Sequence, residues 1–581
     1  PYTTLFRSWA KQPNTANHNS ELFLVGGGLK SCSSMSQNQC QWDKKQLKNR
    51  QENAKSAALY QLTHENKSKL FSLFADQYDE KHAKQLKKLL NKAIKQADKK
   101  PVTKAELISF LKKYDNNRLI NRLSDPEYYL LLDALEVPQM VAKSNKRIKE
   151  KVYLAESKNI FSKNIYLEYV ERARQLSGKK RPNILVVTAS ARDSFEAVDF
   201  YQQAFEQAGA NSQWLPIDAS LQALLSVESN NRAALCEGLS KTRLAIQKSA
   251  FREDIYPDLY QIQQEACVSP QLLIEAVNNA DGIFINGGDQ SLTKQAFVKD
   301  NGNDSSIMKA IRQKFSDGNF IIGGTSAGTA VMSGGNYLDN TTVMITNGRS
   351  ERAVVYGSTA DQLPTEGCQK SSSCKQLPND QLTYASNGGL GLFPYGILDT
   401  HFSERGRQGR LAQLLYDTQS AFAFGVDERT ALIVTRINSG RVELGVSGES
   451  GVFIVESESS SKTIQRKFNT HYLHQGDSAT LSKRGNVVIE FSADKTIPSN
   501  ETGSLPLVED IFKGQVYKSS AKLLCLSDQP QLSGVSYYDD HKVKIALHKS
   551  PQTVTKHGTY KFGNQLKDDC SYRHVTLNFI E

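Results

Sequence analysis

Short apolar runs alternate with amphipathic stretches through the middle of the chain. "NILVVTAS" (183–190) is a continuous apolar run of strand length, and "FEAVDFYQQAFEQAG" (195–209) repeats its apolar residues at helical spacing. "NSQWLPID" (211–218) reads as a strand, "PQLLIEAVNNA" (270–280) as a helix, "DGIFINGG" (281–288) as a strand, "SSIMKAIRQKFSDG" (305–318) as a helix and "NFIIGG" (319–324) as a strand. Strands separated by helices of this length predict βαβ units, hence a parallel sheet covered on both faces. "ELFLV" (21–25), ahead of Gly26, Gly27 and Gly28, predicts one more buried strand ending in a sharp turn. Ligands of such sheets bind beyond the carboxyl ends of the strands, so the glycine-rich ends at Gly26, Gly287 and Gly323 are expected at one edge.

The pattern changes twice. From Cys32 to Ser162 Lys, Gln, Asn and Leu predominate, with Leu86, Leu89, Leu90 and Ile94 at helical spacing and a capping box, "TKAE", from Thr103 to Glu106. After about Gly425 "TALIVTR", "RVELGV" and "GVFIVES" read as strands, and the tail from Pro498 as short strand-like runs between turns. The organisation expected is therefore an N-terminal segment 1–20, disordered or not native; a first strand, 21–31; a basic helical insertion, 32–162; an α/β domain, 163–497; and a β-rich extension, 498–581.

Charge sharpens the boundary of the insertion. The net charge of the 581 residues is +11, yet Gln41 to Lys180 alone holds 31 Lys and Arg against 17 Asp and Glu, so the remainder is slightly acidic. The insertion's lysines run along helices without interleaved aromatics on one face, and no nucleic-acid partner is expected. Eight cysteines include the near neighbours Cys32 and Cys40, Cys236 and Cys267, Cys368 and Cys374, and Cys525 and Cys570. None has C-x-x-C spacing, which favours disulfides and a secreted or periplasmic location over a cytoplasmic one. No apolar run reaches the ~18 residues of a membrane span, so no transmembrane segment is expected. The chain begins at Pro1, and a removed leader is one reading of that start.

Gly324-Thr325-Ser326-Ala327-Gly328 fits G-x-S-x-G, the strand-to-helix elbow that exposes a serine hydroxyl. A serine nucleophile needs a base within hydrogen-bond reach and a third group to orient it. Across the whole region from Arg181 to Glu456 the sole histidine is His401, at the end of an apolar strand. Asp427 and Glu428 sit at a break between two apolar runs, while Asp399, Glu404 and Asp417 lie nearer in sequence, so composition leaves the third member open. Arg405, Arg407 and Arg410 follow His401 closely and suit bidentate carboxylate recognition. The glycines at 26–28 lack the G-x-G-x-x-G spacing and no P-loop occurs, so they read as a site-lining turn. The order Ser, then His, then an acid departs from that of α/β-hydrolases and is similar to the class I glutamine amidotransferase-like fold, whose elbow usually carries Cys.

Four stretches, "INGGDQSLT" (285–293), "GGTSAGTAVMS" (323–333), "LDTHFSERGRQGRL" (398–411) and "GVDERTALIV" (425–434), closely resemble cyanophycinases, serine peptidases of family S51. The resemblance spans Leu22 to about Lys30 and Asn183 to about Asp477, leaving the insertion and the tail unmatched. It implies a flavodoxin-like, mostly parallel α/β sheet with helices on both faces, and exopeptidase hydrolysis of cyanophycin, a poly-aspartate carrying arginine on each side chain, to β-Asp-Arg dipeptides. By that match Ser326 is the nucleophile, His401 the general base and Glu428 the orienting acid, while Gln290, Asp399, Arg405, Arg407 and Arg410 correspond to substrate-pocket positions. Thr400 stands where the family has Gln, which bears on substrate preference. The backbone N–H groups of Ala327 and of the Gly287-Gly288 turn are the expected oxyanion donors, and no metal or organic cofactor is required. The expected partner is cyanophycin or a β-aspartyl peptide, with a homodimer left open. The competing expectations are an aspartyl dipeptidase of the same family and a non-catalytic polymer-binding protein docking through its basic insertion.

Overall fold

The structure, a computed structural model, describes residues 19–43, 46, 53–74, 80–98, 100–116, 118–144, 146–362, 377–437, 441–457, 466–498, 503–562 and 565–580. Most of the N-terminal segment expected at 1–20, and the pair Cys368 and Cys374, lie outside the described residues.

The expected parallel sheet is present, with an antiparallel wing. Five strands run parallel in the order Asn211–Trp214, Asn183–Val187, Gly282–Ile285, Ile321–Thr325 and Glu21–Val25. The sheet then continues antiparallel through Thr430–Ile437, Arg441–Gly448, Ser478–Leu481 and Val487–Glu490, nine strands in all. Because strand side chains alternate between faces, the apolar runs divide cleanly. Leu22, Leu24, Leu185, Val187, Ile283 and Ile285 join one core with Leu221, Leu273, Val277 and Ile311 from covering helices. Phe23, Val25, Ile184, Val186 and Phe284 join another with Tyr166, Tyr169 and Phe205. A continuous apolar run is therefore what a strand buried on both faces requires. The parallel register sets Val25 beside Thr325 and Ile285 beside Gly324, which brings Gly26, Asn286 and Ser326 to the same edge.

A second, seven-stranded sheet lies next in the chain. Its order is Ile397–Thr400, Phe422–Val426, Gly451–Ser457, Arg466–His474, Gln565–Ile580, His541–Phe562 and Gln531–Tyr538. The tail is thus no detached appendage: Phe468 pairs with Leu577 and Thr470 with Val575, and both ends share one core. It also contains the helix Val516–Leu526, where short strands were expected. Tyr517, Ala521, Leu524 and Cys525 recur there at helical spacing and bury one stripe in that core.

The basic insertion forms helices His64–Phe74, Glu80–Ile94, Lys104–Tyr114 and Asp125–Leu135 around its own core, including Leu86, Leu90, Leu107, Leu111 and Leu131. The Thr103–Glu106 capping box is formed. Buried Arg252 of the α/β domain bonds Glu136 of the insertion at 2.7 Å and Asp193 at 3.1 Å, fastening the two.

Cys32–Cys40, Cys236–Cys267 and Cys525–Cys570 are disulfides. The last spans 45 residues and ties the helix at Val516–Leu526 to the strand at Gln565–Ile580. On the chain-entropy relation its removal is worth about 4 kcal/mol. Replacing Cys525 and Cys570 together with Ser should lower unfolding stability by that order in chemical denaturation under non-reducing conditions, and reduction of the parent protein, which opens the other disulfides too, should cost at least as much.

Candidate active site

Ser326 joins the strand Ile321–Thr325 to a short helix, Ala327–Ala330, with φ 56° and ψ −119°. A positive φ on a non-glycine residue is costly and persists where its surroundings enforce it. Here the Ser326 N–H donates to Val25 O at 3.0 Å, and the Thr329 hydroxyl donates to the same oxygen at 2.8 Å, clamping the elbow to the first strand. A Cβ on Gly324 would fall 2.2 Å from the Gly328 carbonyl oxygen, so the turn closes only with glycine there.

His401 follows the strand Ile397–Thr400, and Glu428 follows its parallel neighbour Phe422–Val426; Thr400 pairs with Val426, so the two loops emerge side by side. Ser326 Oγ lies 2.7 Å from His401 Nε2, and His401 Nδ1 lies 2.8 Å from Glu428 Oε1. A carboxylate can only accept, so Nδ1 carries the proton and Nε2 is left to accept from the serine hydroxyl. The imidazole is held from behind: His401 N–H donates to Gly26 O at 2.7 Å, and a Cβ on Gly27, whose φ is +112°, would meet the ring carbon Cε1 at 2.3 Å.

Glu428 is fixed in turn. Arg429 donates to its Oε2 at 2.9 Å, and its own N–H donates to Glu404 Oε2 at 3.1 Å. The His401 hydrogen bond, with help from Arg429, holds the Glu428 carboxyl down at about 2. Burial, with Asp427 close by, pushes Glu404 up. Asp427, the other acid at this break, turns away from the imidazole and accepts from Ser403 N–H at 2.9 Å and Ser450 Oγ at 2.6 Å.

The remaining predicted residues divide into paired and open groups. Asp399 is fully buried and accepts from Thr400 N–H at 2.8 Å, from Arg407 at 3.1 Å and from Arg410 at 2.6 and 2.8 Å. Arg410 also donates to Gly348 O at 2.6 Å, and Arg407 to Thr400 O at 2.5 Å; Thr400 itself is buried. Asp399 is therefore saturated by this chain's own arginines, whose two charges exceed its one. Arg405 is exposed; its N–H donates to His401 O at 3.1 Å, and its guanidinium has no hydrogen-bond acceptor among the described residues. Gln290 starts the helix Gln290–Phe297 and donates to Ile345 O at 2.8 Å; beside it opens a cleft of about 310 Å³ lined by Ser291, Lys294, Thr346, Asp361 and Tyr384. Gly287 abuts Ser326, its would-be Cβ 3.1 Å from Ser326 Cβ. Gly288 is exposed, and the Ala327 N–H stands at the first position of its helix, where intrahelical acceptors are lacking.

Sequence reading named the turn at Gly26, Gly27 and Gly28 as site-lining and Glu404 as an acid near His401, but missed Glu404's hold on the Glu428 N–H, Asp427's fastening role, Arg429 and Lys518. The "DER" run does name Arg429, as a cation adjacent to an acid already singled out; nothing in sequence joins Lys518 to Asp427, 91 residues away. One group of possible metal ligands occurs among the described residues, Glu456, His471 and His574 in the second sheet. His574 N–H donates to His471 Nδ1 at 3.2 Å, which leaves the ring proton on Nε2, 2.6 Å from Glu456. The His471–Glu456 pair is thus a satisfied hydrogen bond, while His574 Nδ1 is buried without a hydrogen-bond partner among the described residues.

No family model matches the chain. The cyanophycinases of Trichormus variabilis and of Nostoc sp. are each 26% identical to it over 272 residues, 47% of this chain and 73% of theirs. That of Geminocystis herdmanii is 29% identical over 189 residues, 32% of this chain and 54% of its own. A solved peptidase from an acI-B1 Actinobacterium aligns with 54% of this chain and 89% of its own at 17% identity and a TM-score of 0.31, too loose a likeness to carry weight. The chain is cyanophycinase-like, as its four motifs imply.

Glu428 gives the site a pH signature. Its carboxyl is held from the ordinary value near 4.5 down to about 2, so its contribution to stability is full above the unfolded value and is lost as pH falls toward 2. Denaturation of the parent and of Glu428→Gln should show a stability gap at pH 6 that shrinks steadily below pH 4.5. A gap independent of pH would count against this assignment.

Proposed function

We propose that the chain is a serine exopeptidase that hydrolyses cyanophycin to β-Asp-Arg dipeptides, by way of an acyl enzyme on Ser326. The reading rests above all on the unbroken hydrogen-bonded chain from Ser326 through His401 to Glu428, with steps of 2.7 and 2.8 Å. Similarity to enzymes named cyanophycinase supports the substrate class.

The steps follow from the geometry. His401 Nε2 takes the Ser326 proton as Oγ attacks the scissile amide carbonyl, and Glu428 stabilises the imidazolium so formed. The N–H groups of Ala327 and of the Gly287-Gly288 turn serve as the oxyanion donors in this reading, and Gly287 also leaves room beside the hydroxyl, its would-be Cβ 3.1 Å from Ser326 Cβ. The imidazolium then protonates the departing amine, water enters in its place, and the same groups run the sequence backward to release the acid.

Recognition falls to the arginine cluster. Asp399 and Arg410 form a buried pair that orients Arg407, and burial together with Arg410 disfavours the Arg407 charge, so an arriving carboxylate supplies the missing counter-ion. Exposed Arg405 adds a second cation at the mouth. A saturated Asp399 is unsuited to holding a substrate guanidinium directly; it acts through Arg407. The three disulfides among the described residues support an oxidising compartment as the place of action, and no helix among these residues is long and apolar enough to cross a membrane.

The decisive experiment is incubation of the purified protein with insoluble cyanophycin and mass analysis of what dissolves. β-Asp-Arg should appear with the parent protein and fall by about 10³-fold or more with Ser326→Ala. Release from free aspartyl dipeptides alone would favour a dipeptidase, and unchanged release by Ser326→Ala would overturn serine catalysis. Arg405→Gln, at an exposed position, should raise KM severalfold with kcat nearly kept, because it removes binding shared by ground and transition states.

A further inference from the structure

We infer that Lys518, on the helix Val516–Leu526 of the C-terminal extension, is a positioning residue of the Ser326–His401–Glu428 site. The inference rests on the function proposed above and extends it to a part of the chain that the cyanophycinase-like motifs do not reach. Its substance is a single buried carboxylate. Asp427 is wholly buried and immediately precedes Glu428. Through Oδ1 it accepts the N–H of Ser403, two residues after His401, at 2.9 Å. One side chain thus fastens the segment that carries the imidazole to the segment that carries its orienting acid.

A buried carboxylate keeps such a position only while its charge is compensated. The Oδ2 atom accepts from Ser450 Oγ at 2.6 Å, from the Tyr472 hydroxyl, and from Lys518 Nζ at 3.2 Å. Of these donors only Lys518 carries a formal charge, and it is the one ion-pair partner of Asp427 among the described residues. Lys518 also donates to Ser450 Oγ, so the hydroxyl is held in the same knot. The other charged or titratable groups facing the knot are Glu404, Asp569, His474, Tyr472 and Tyr572, with Arg429 between Glu404 and Glu428. Glu404 accepts the Glu428 N–H, which makes it the second carboxyl whose ionisation the ammonium steadies.

Without Lys518 two acids facing one another beside Glu428 lose their nearest cation. Each then binds a proton at higher pH, and a protonated Asp427 or Glu404 no longer offers the same acceptor to the Ser403 or Glu428 N–H. The imidazole loses its fixed aim, while Asp399, Arg407 and Arg410 keep the bonds they make to one another. The readout is therefore kcat and its pH dependence, with KM little changed.

The test uses the full chain and a fluorophosphonate probe, which reports the activation of Ser326 without relying on any substrate assignment. The labelling rate is followed from pH 5 to 9 for the parent, Ser326→Ala, Lys518→Met, Lys518→Arg and Lys522→Met, alongside release of β-Asp-Arg from cyanophycin. Lys522 lies on the same helix but pairs with half-exposed Asp568, so it controls for loosening of the helix itself. Lys518→Met should label about tenfold more slowly at pH 7, with its acid limb moved up by about one unit; Lys518→Arg should restore most of both, and Lys522→Met should match the parent. A parent that is neither labelled nor active removes the underlying reading and the inference with it. A labelled parent whose Lys518→Met variant has the same rate and the same acid limb overturns the inference alone. Should Lys518→Met fail to fold, Ser450→Ala removes the hydroxyl that donates to Asp427 and accepts from Lys518, and should move the limb in the same direction by a smaller amount; an unmoved limb there overturns the inference equally.

Discussion

Ser326 and His401 stand on different sheets, and the 2.7 Å contact between them exists only because the two sheets meet at one turn. Ser326 ends a parallel strand of the nine-stranded sheet, whereas His401 ends the edge strand of the seven-stranded one. The meeting point is the glycine turn after the first strand: Gly26 O receives the His401 N–H, Val25 O receives the Ser326 N–H, and Gly27 leaves the imidazole its space. The chain itself crosses between the sheets at Asp427–Glu428, leaving Phe422–Val426 in one and entering Thr430–Ile437 in the other. Ser326, His401 and the segment of Glu428 are thus held by backbone hydrogen bonds at a seam, and small shifts of one sheet against the other act directly on the distance between Ser326 and His401.

This arrangement accounts for what was readable beforehand. The parallel strands were legible because a strand buried on both faces must be apolar throughout, and "NILVV", "GIFI" and "FII" have few other uses between helical segments. The serine was legible because the elbow restricts neighbouring residues sterically, leaving glycines at fixed spacing, and the lone histidine of the region left no rival base. The tail was harder. Eleven residues from Val516 to Leu526 carry barely three helical turns of pattern, and the long paired strands after it are broken by charged residues on their exposed face. Pairing of Phe468 with Leu577 is a relation between positions more than a hundred residues apart, which local periodicity cannot register.

The arginines teach a related lesson. Three guanidiniums next to a candidate base read as a set of open cations in sequence, but two of them are committed to Asp399. Which charges are free is decided by burial and pairing: Arg410 is a structural member, Arg407 an under-compensated one at the boundary, and Arg405 is open. A charge count overstates what is available to bind; the excess of cation over carboxylate is the quantity a substrate meets.

The same reasoning places the extension inside the enzyme's working parts. Its helix contributes Tyr517 and Leu524 to the core that also contains Phe402, the residue after His401, and Phe453. Phe402 stacks on Phe453, and Phe453 meets Tyr517 edge to face, so apolar contacts run from the extension to the base without interruption. Packing of this kind fixes distance but cannot fix charge. The buried carboxylate at Asp427 demands a cation, and the fold draws it from the helix Val516–Leu526. A lysine reaching inward, at the cost of its own desolvation, is what a segment contributes when the neighbouring acids must stay ionised.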